Sequence, residues 1–337
     1  MRFKAVVQGL LAAAALSLAG AAAQAQETMR ISSWLEPHAM NKVLFPAWIE
    51  AIEEATDGRV TGKIEFGLAP PPGQLDLITD GGADASWIFH GYNPGRFVAT
   101  KLIELPGYDG DAEAASVAYW EAHEQFLAEA NEHQGVVVAA MMTHGPGQLY
   151  MREPIDGLDA LNGKKIRIGG GVSADVGEAL GAVGVQVPAP QVYETLSQGV
   201  ADGVMMPLET NGSLRLYEVA PVTYLMPGGL YRGSFAIIMS QAFLDRLSEE
   251  DREAVLSTTG KALSQMAGRA WAEADLQGME AILEHTEIHE FSAEDQAKFA
   301  EIAQSVRQKV IEEVGATGID AEGAVELIDE ITSGYGD

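Results

Sequence analysis

The sequence predicts an α/β protein of two lobes, and three observations carry that prediction. Strand and helix patterns alternate from about residue 28, the alternation restarts near residue 151 with denser glycine and proline, and the last third turns helical behind two capping boxes. Hydrophobic residues make up 47% of the 337 residues, enough for two cores, and chains of this size tend to divide.

The first 25 residues, MRFKAVVQGLLAAAALSLAGAAAQA, carry Arg2 and Lys4 ahead of an alanine-rich apolar stretch and end in a small-x-small site. This is the layout of a signal peptide cleaved before Gln26, so export to the periplasm is expected. The first lobe is expected to take residues 26–150 plus about 236–265. "MRISSW" reads as a strand, "NKVLFPAWIEAIEEATDGR" as a helix stopped at Gly58, and "VTGKIEFG" as a strand. A short helix "GQLDLITDGGA" and the strands "DASWIFH" and "GVVVAAMMTH" continue the alternation, which implies parallel strands.

The second lobe is expected to take residues 151–235 plus about 266–337. Its pattern is strand "KKIRI", helix "SADVGEALGAVG", strand "VQVPA", helix "PQVYETLSQG" opened by Pro190, and strand "DGVMMP". "SFAIIMS" then returns the chain toward the first lobe. Ser248 and Asp251 form a capping box ahead of helical periodicity that runs over 249–284. One helix of that length would reach about 50 Å and cross between the lobes. Ser292 and Asp295 open a further helix in the same way.

Composition excludes several functions. There is no cysteine, so neither disulfides nor thiol catalysis arise. Beyond the leader, 19 basic residues face 49 acidic ones, a surface that repels nucleic acid. His285 and His289 stand four apart but across a helix-to-strand switch, which separates them and argues against a metal site. No G-x-S-x-G elbow occurs, and no cofactor is expected.

Gly169-x-Gly171-x-x-Ala174 follows a strand and opens a helix, as in dinucleotide sites. The acidic residue expected at the end of the next strand is missing, because "VQV" runs into Pro188-Ala189-Pro190. Arg167, near the end of its strand, can instead reach the crevice where α/β ligands sit and grip a carboxylate through both arms of its fork. A surface ion pair is the competing reading of that arginine. Trp34, Trp87, Phe89, His90, His144 and Tyr150 all fall at or just after expected strand ends, so they too are candidates for the crevice, against a bland alternative of core packing.

Several stretches together resemble the substrate-binding proteins of tripartite ATP-independent periplasmic (TRAP) transporters: "EATDGRV" at 54–60, "HGYNPGRF" with "IELPG" at 90–107, "IDGLDALNGKKIRI" at 155–168, and "PQVYETLSQGVADGVMMPLE" at 190–209. The resemblance implies a two-lobed binding protein of the periplasmic type II-like fold. It closes on a small organic acid and delivers it to a permease of one small and one large membrane subunit. It also implies that Arg167, in "GKKIRIG", binds the ligand carboxylate. The chain departs from acid-sugar binders at Gly147, in "HGPGQLY", and at Met206, where those proteins carry arginine and asparagine; Gln148 and Met206 are further ligand-binding candidates. That favours a small or partly apolar acid. A rival reading keeps the transport role but gives the aromatic group an amine or zwitterion, with Glu209 as counter-charge. An exported α/β enzyme and a scaffold with an empty cleft are the more distant alternatives.

Overall fold

The computed structural model describes residues 26–335, so the expected leader lies outside the described residues. In chain order the elements begin with β1 (Glu27–Ser33), α1 (Phe45–Ala55), β2 (Val60–Phe66), α2 (Gln74–Thr79), β3 (Ala85–Phe89), α3 (Ala112–Gln125) and β4 (Val137–Thr143). There follow β5 (Gln148–Met151), β6 (Lys165–Ile168), α4 (Val172–Ala179), β7 (Val183–Gln186), α5 (Val192–Ser197), β8 (Gly203–Met206), α6 (Glu209–Ser213) and β9 (Val222–Leu225). The chain ends with β10 (Ser234–Met239), α7 (Gln241–Arg246), α8 (Glu249–Ser257), α9 (Lys261–His285), β11 (Glu287–Glu290), α10 (Ala293–Gly315) and α11 (Ala321–Gly334).

These strands form two sheets, one ordered β2-β1-β3-β10-β4 and the other β11-β9-β5-β8-β6-β7. The expected division put residues 148–150 with the first lobe, but β5 pairs within the second sheet. The expectation of parallel strands holds for β1 with β2 and β3, and for β6 with β7 and β8. It fails for β10, antiparallel to β3 and β4, and for β5, antiparallel to β8 and β9. The reason is connectivity. A strand that enters a sheet straight from the neighbouring lobe starts at the edge where the sheet's own strands end, so it must run the other way. Both crossing strands therefore begin at the cleft.

Local chemistry sets the helix limits. α1 starts with Pro46 and stops where Asp57 and Gly58 adopt left-handed backbone, with φ of 50° and 74°. The capping boxes form as expected: the Ser248 and Ser292 hydroxyls each accept the amide of the residue three on, Asp251 or Asp295, at 3.1 Å. The single helix expected over 249–284 does not form. It breaks at Thr258–Gly260, where Gly260 has φ 77° and its amide bonds the Ala139 carbonyl of β4 at 2.7 Å. Thr258 is held there as well, accepting the Trp48 indole N–H at 3.0 Å. α9 alone makes the crossing, packing on α3 and β4 at one end and on α6 and β11 at the other.

Candidate functional site

A cavity with about 430 Å³ of empty space, open solvent included, lies between the sheets. The first sheet supplies Trp34, Trp87 and Phe89 at or beyond its strand ends, and β10 supplies Phe235. The second supplies Arg167 and Gly169, and Met206, Pro207 and Glu209 where β8 runs into α6. Trp271 reaches in from α9. Trp34 stacks on Trp87 at 4.0 Å between centroids, and Phe89 meets Tyr92 edge-on at 4.7 Å and Phe235 at 4.9 Å. Both outer tryptophans spend their N–H groups inside the wall, Trp34 on the Trp87 carbonyl and Trp87 on the Ser33 hydroxyl, each at 2.8 Å. Those bonds fix the orientation of both indoles in the wall.

Arg167 is 2% exposed, and its Nε and one Nη both donate to the Val187 carbonyl, at 2.9 and 2.7 Å. Among the described residues it has no ion pair, although the chain carries 49 acidic residues. A buried guanidinium without a counter-charge is costly, and an anion entering the cavity would supply the missing partner. The surface ion pair considered for this residue is therefore not what the fold makes of it.

Of the other candidates read from the sequence, Trp34, Trp87, Phe89, His144, Met206 and Glu209 line the cavity. His90, Gln148 and Tyr150 do not. His90 is sealed behind the wall, its Nδ1 on the Ser234 hydroxyl at 3.0 Å and its Nε2 on His133 at 2.9 Å. Gln148 ties itself to the Met226 backbone at both ends of its amide. Tyr150 misses because β5 is antiparallel: it pairs with Val204, two residues back from the cleft edge, and its hydroxyl bonds the Pro207 carbonyl at 3.2 Å. Leu35, His38, Tyr92, Tyr231, Phe235 and Trp271 were not legible as cavity residues, since a crossing segment and the face of a long helix carry no strand-end signal.

Glu209 is not a free counter-charge. One oxygen stands 3.3 Å from His38 Nε2 and the other accepts the Ser213 hydroxyl at 2.7 Å. Burial works to raise its carboxyl, but His38 and Ser213 outweigh that and hold it below the usual range.

Tyr231 explains one departure noted in the sequence. A Cβ at Gly147 would come within 2.3 Å of the Tyr231 ring, so the position takes no side chain while Tyr231 stays in place.

The triple glycine has its own occupant. The Gly169–Gly171 turn admits Phe89, Gly91 and Glu104 so closely that a Cβ at Gly171 would lie 2.1 Å from the Glu104 carboxylate. Glu104 accepts the Val172 amide at the start of α4 at 2.7 Å, and the Ser234 hydroxyl and amide on its other oxygen. The helix N-terminus that would hold a pyrophosphate in a dinucleotide fold is filled by the protein's own carboxylate.

Burial moves several groups far from their ordinary values. It pushes Glu104 and Asp275 up to about 7, and His144 and His123 down to about 4 and His133 to about 3, with His90 well lowered too. The signs oppose each other. The histidines bind fewer protons in the folded state than unfolded between about 4 and 6.5, which makes stability rise with pH there; the two carboxyls bind more, which makes it fall up to about 7. Burial raises Glu132 as well, and four histidines still outweigh three carboxyls, so the unfolding midpoint rises from pH 4.5 to about 6.5 and then levels or dips slightly. Thermal unfolding across that range checks this, and a midpoint that falls steadily from pH 4.5 upward would contradict it.

Two sheets facing across a cleft, crossed by a long helix and closed over an aromatic cavity with a buried cation, define a two-lobed α/β solute-binding protein. The comparisons narrow the class. Residues 35–313 match the family described as bacterial extracellular solute-binding protein, family 7, and the chain belongs to that family. It is 33% identical over 261 residues, 76% of this chain and 77% of the relative, to the outer membrane transporter protein TsaT of Comamonas testosteroni. Its fold is similar, with a TM-score of 0.88 and 34% identity over 91% of this chain and 98% of the other, to a TRAP periplasmic solute-binding protein of Bordetella bronchiseptica solved with (R)- and (S)-mandelate. A marine metagenome TRAP solute-binding protein specific for aromatic acids, in complex with 3-hydroxybenzoate, gives a TM-score of 0.84 at 28% identity over 93% and 99% of the two chains.

Proposed function

We propose that this chain is the periplasmic receptor of a TRAP transporter that captures a small aromatic carboxylate and presents it to the membrane subunits. The carrying observation is Arg167, buried without an acidic partner in a cavity whose other walls are aromatic. The carboxylate meets the guanidinium of Arg167, and the ring lies against the aromatic wall of Trp34, Trp87, Phe89 and Phe235. Mandelate and 3-hydroxybenzoate, bound by two of the similar structures, are acids of this class.

Ligand binding and closure are one event. Arg167 and Met206 come from the second sheet, while Trp87 and Phe89 come from the first, so a ligand touching both favours the closed arrangement by its differential contacts with it. The rival amine or zwitterion loses support because its expected counter-charge, Glu209, is already engaged by His38 and Ser213. The closed form then docks on the small and large permease subunits, and the leader, cleaved before Gln26, delivers the chain to the periplasm.

A thermal-shift panel of aromatic acids, aliphatic dicarboxylates, sugar acids and aromatic amines tests the reading. Benzoate-like acids are expected to raise the melting temperature in a concentration-dependent way and to be recovered unaltered. A shift with amines alone, or turnover of the acid, would contradict it.

A further inference from the structure

Two polar atoms in the cavity wall have no protein partner. The Trp271 indole N–H is buried with no acceptor, in a side chain 2% exposed. His144 is 4% exposed, and its Nδ1 faces the Gly145 carbonyl at 2.5 Å. A carbonyl can only accept, so the imidazole proton sits on Nδ1 and Nε2 presents a bare lone pair. No group among the described residues bonds that Nε2, and both residues line the cavity.

Most other polar groups of the wall are already engaged, and the Tyr92 hydroxyl accepts the Ala189 amide at 2.8 Å. The indoles of Trp34 and Trp87 have acceptors, Tyr231 donates to the Met205 carbonyl, the Thr210 hydroxyl donates to the Pro207 carbonyl, and His38 and Glu209 hold each other. Trp271 and His144 together leave one donor and one acceptor unmet on neighbouring rings. Their ring centroids stand 6.1 Å apart at 65°.

Few groups satisfy both atoms at once. A carboxylate oxygen accepts from the indole but repels the imidazole lone pair, and an ammonium donates to the imidazole but has nothing for the indole to donate to. A hydroxyl accepts from one and donates to the other.

We infer that the ligand is a hydroxylated aromatic acid whose hydroxyl sits between Trp271 Nε1 and His144 Nε2 while its carboxylate lies on Arg167. This rests on the carboxylate reading of the cavity and adds a second recognition pole to it. Leaving that pole empty keeps the buried Trp271 donor unpaired, which is the condition under which a site discriminates strongly against an analogue lacking the group.

The test compares matched pairs on the chain beginning at Gln26. Calorimetric affinities are measured for 3-hydroxybenzoate against benzoate and for mandelate against phenylacetate, which place the hydroxyl on the ring or beside the carboxylate. At least one pair is expected to show a preference of tenfold or more for the hydroxylated acid. In Trp271→Phe and in His144→Phe, each checked for folding by circular dichroism, that ratio is expected to fall to about twofold or less. Two variants guard against one failing to fold. A wild-type ratio below about threefold for both pairs, or a ratio that survives both substitutions, overturns the inference and leaves the carboxylate reading standing. Failure of all four acids to bind overturns both.

Discussion

Arg167→Ala lowers the affinity for an aromatic acid by about 100-fold or more, while the empty chain unfolds within a few degrees of the parent. The first part follows from charge-assisted hydrogen bonds, each contributing about 1.5–3 kcal/mol net, so two of them correspond to two orders of magnitude or more. The second follows from what Arg167 does without ligand. Its hydrogen bonds run mainly to one carbonyl, that of Val187, with the Tyr92 hydroxyl beside it, and their loss is offset by removal of a buried cation that has no ion pair among the described residues. Arg167→Lys restores little, because an ammonium cannot reproduce the planar fork. Calorimetry and thermal unfolding of the same preparations check both parts. An unchanged affinity would take Arg167 out of the site.

Gly171→Ala destabilises the fold by about 2–4 kcal/mol. The residue sits at φ 60° and ψ −146°, a region open almost only to glycine, and strain of that kind costs about 1–3 kcal/mol. The added methyl would also drive into the Glu104 carboxylate, which must leave its bonds to Val172 and Ser234 while staying buried. Denaturant unfolding measures the loss. Gly163→Ala is the control, also at positive φ but with nothing within 4 Å of the added atom, and its smaller cost isolates the contribution of the Glu104 contact. Equal losses in the two variants would show that Glu104 plays no part.

Much of this architecture was legible because the signals are local. Periodicity marked β1, β6 and β8, the serine boxes marked the starts of α8 and α10, and Gly58 marked the stop after α1. The position of Arg167 at the cleft was legible for the same reason: it needs only a strand, its direction and its end. What failed was whatever depends on connectivity between lobes. Tyr150 reads as a strand-end residue until β5 is seen to run backwards, and the long helix reads as continuous because Thr258 and Thr259 fit a helical repeat while Gly260 docks on β4. Trp271 and Phe235 carried no site signal, since a large apolar residue on a helix or a core strand is indistinguishable from packing until its neighbours are known. The glycine run was legible as a tight turn, but its purpose was not. Glu104, 65 to 67 residues away in sequence, gives no sign of being the group that the turn admits.

The central claim is that the cleft recognises a negative charge held against an aromatic body. Calorimetric titration of the chain with benzoate and with benzamide, equal in shape and different in charge, tests it most directly. The account predicts one benzoate bound per chain and an affinity for benzamide weaker by about 100-fold or more. Equal binding of the two, or preference for the neutral amide, would contradict it.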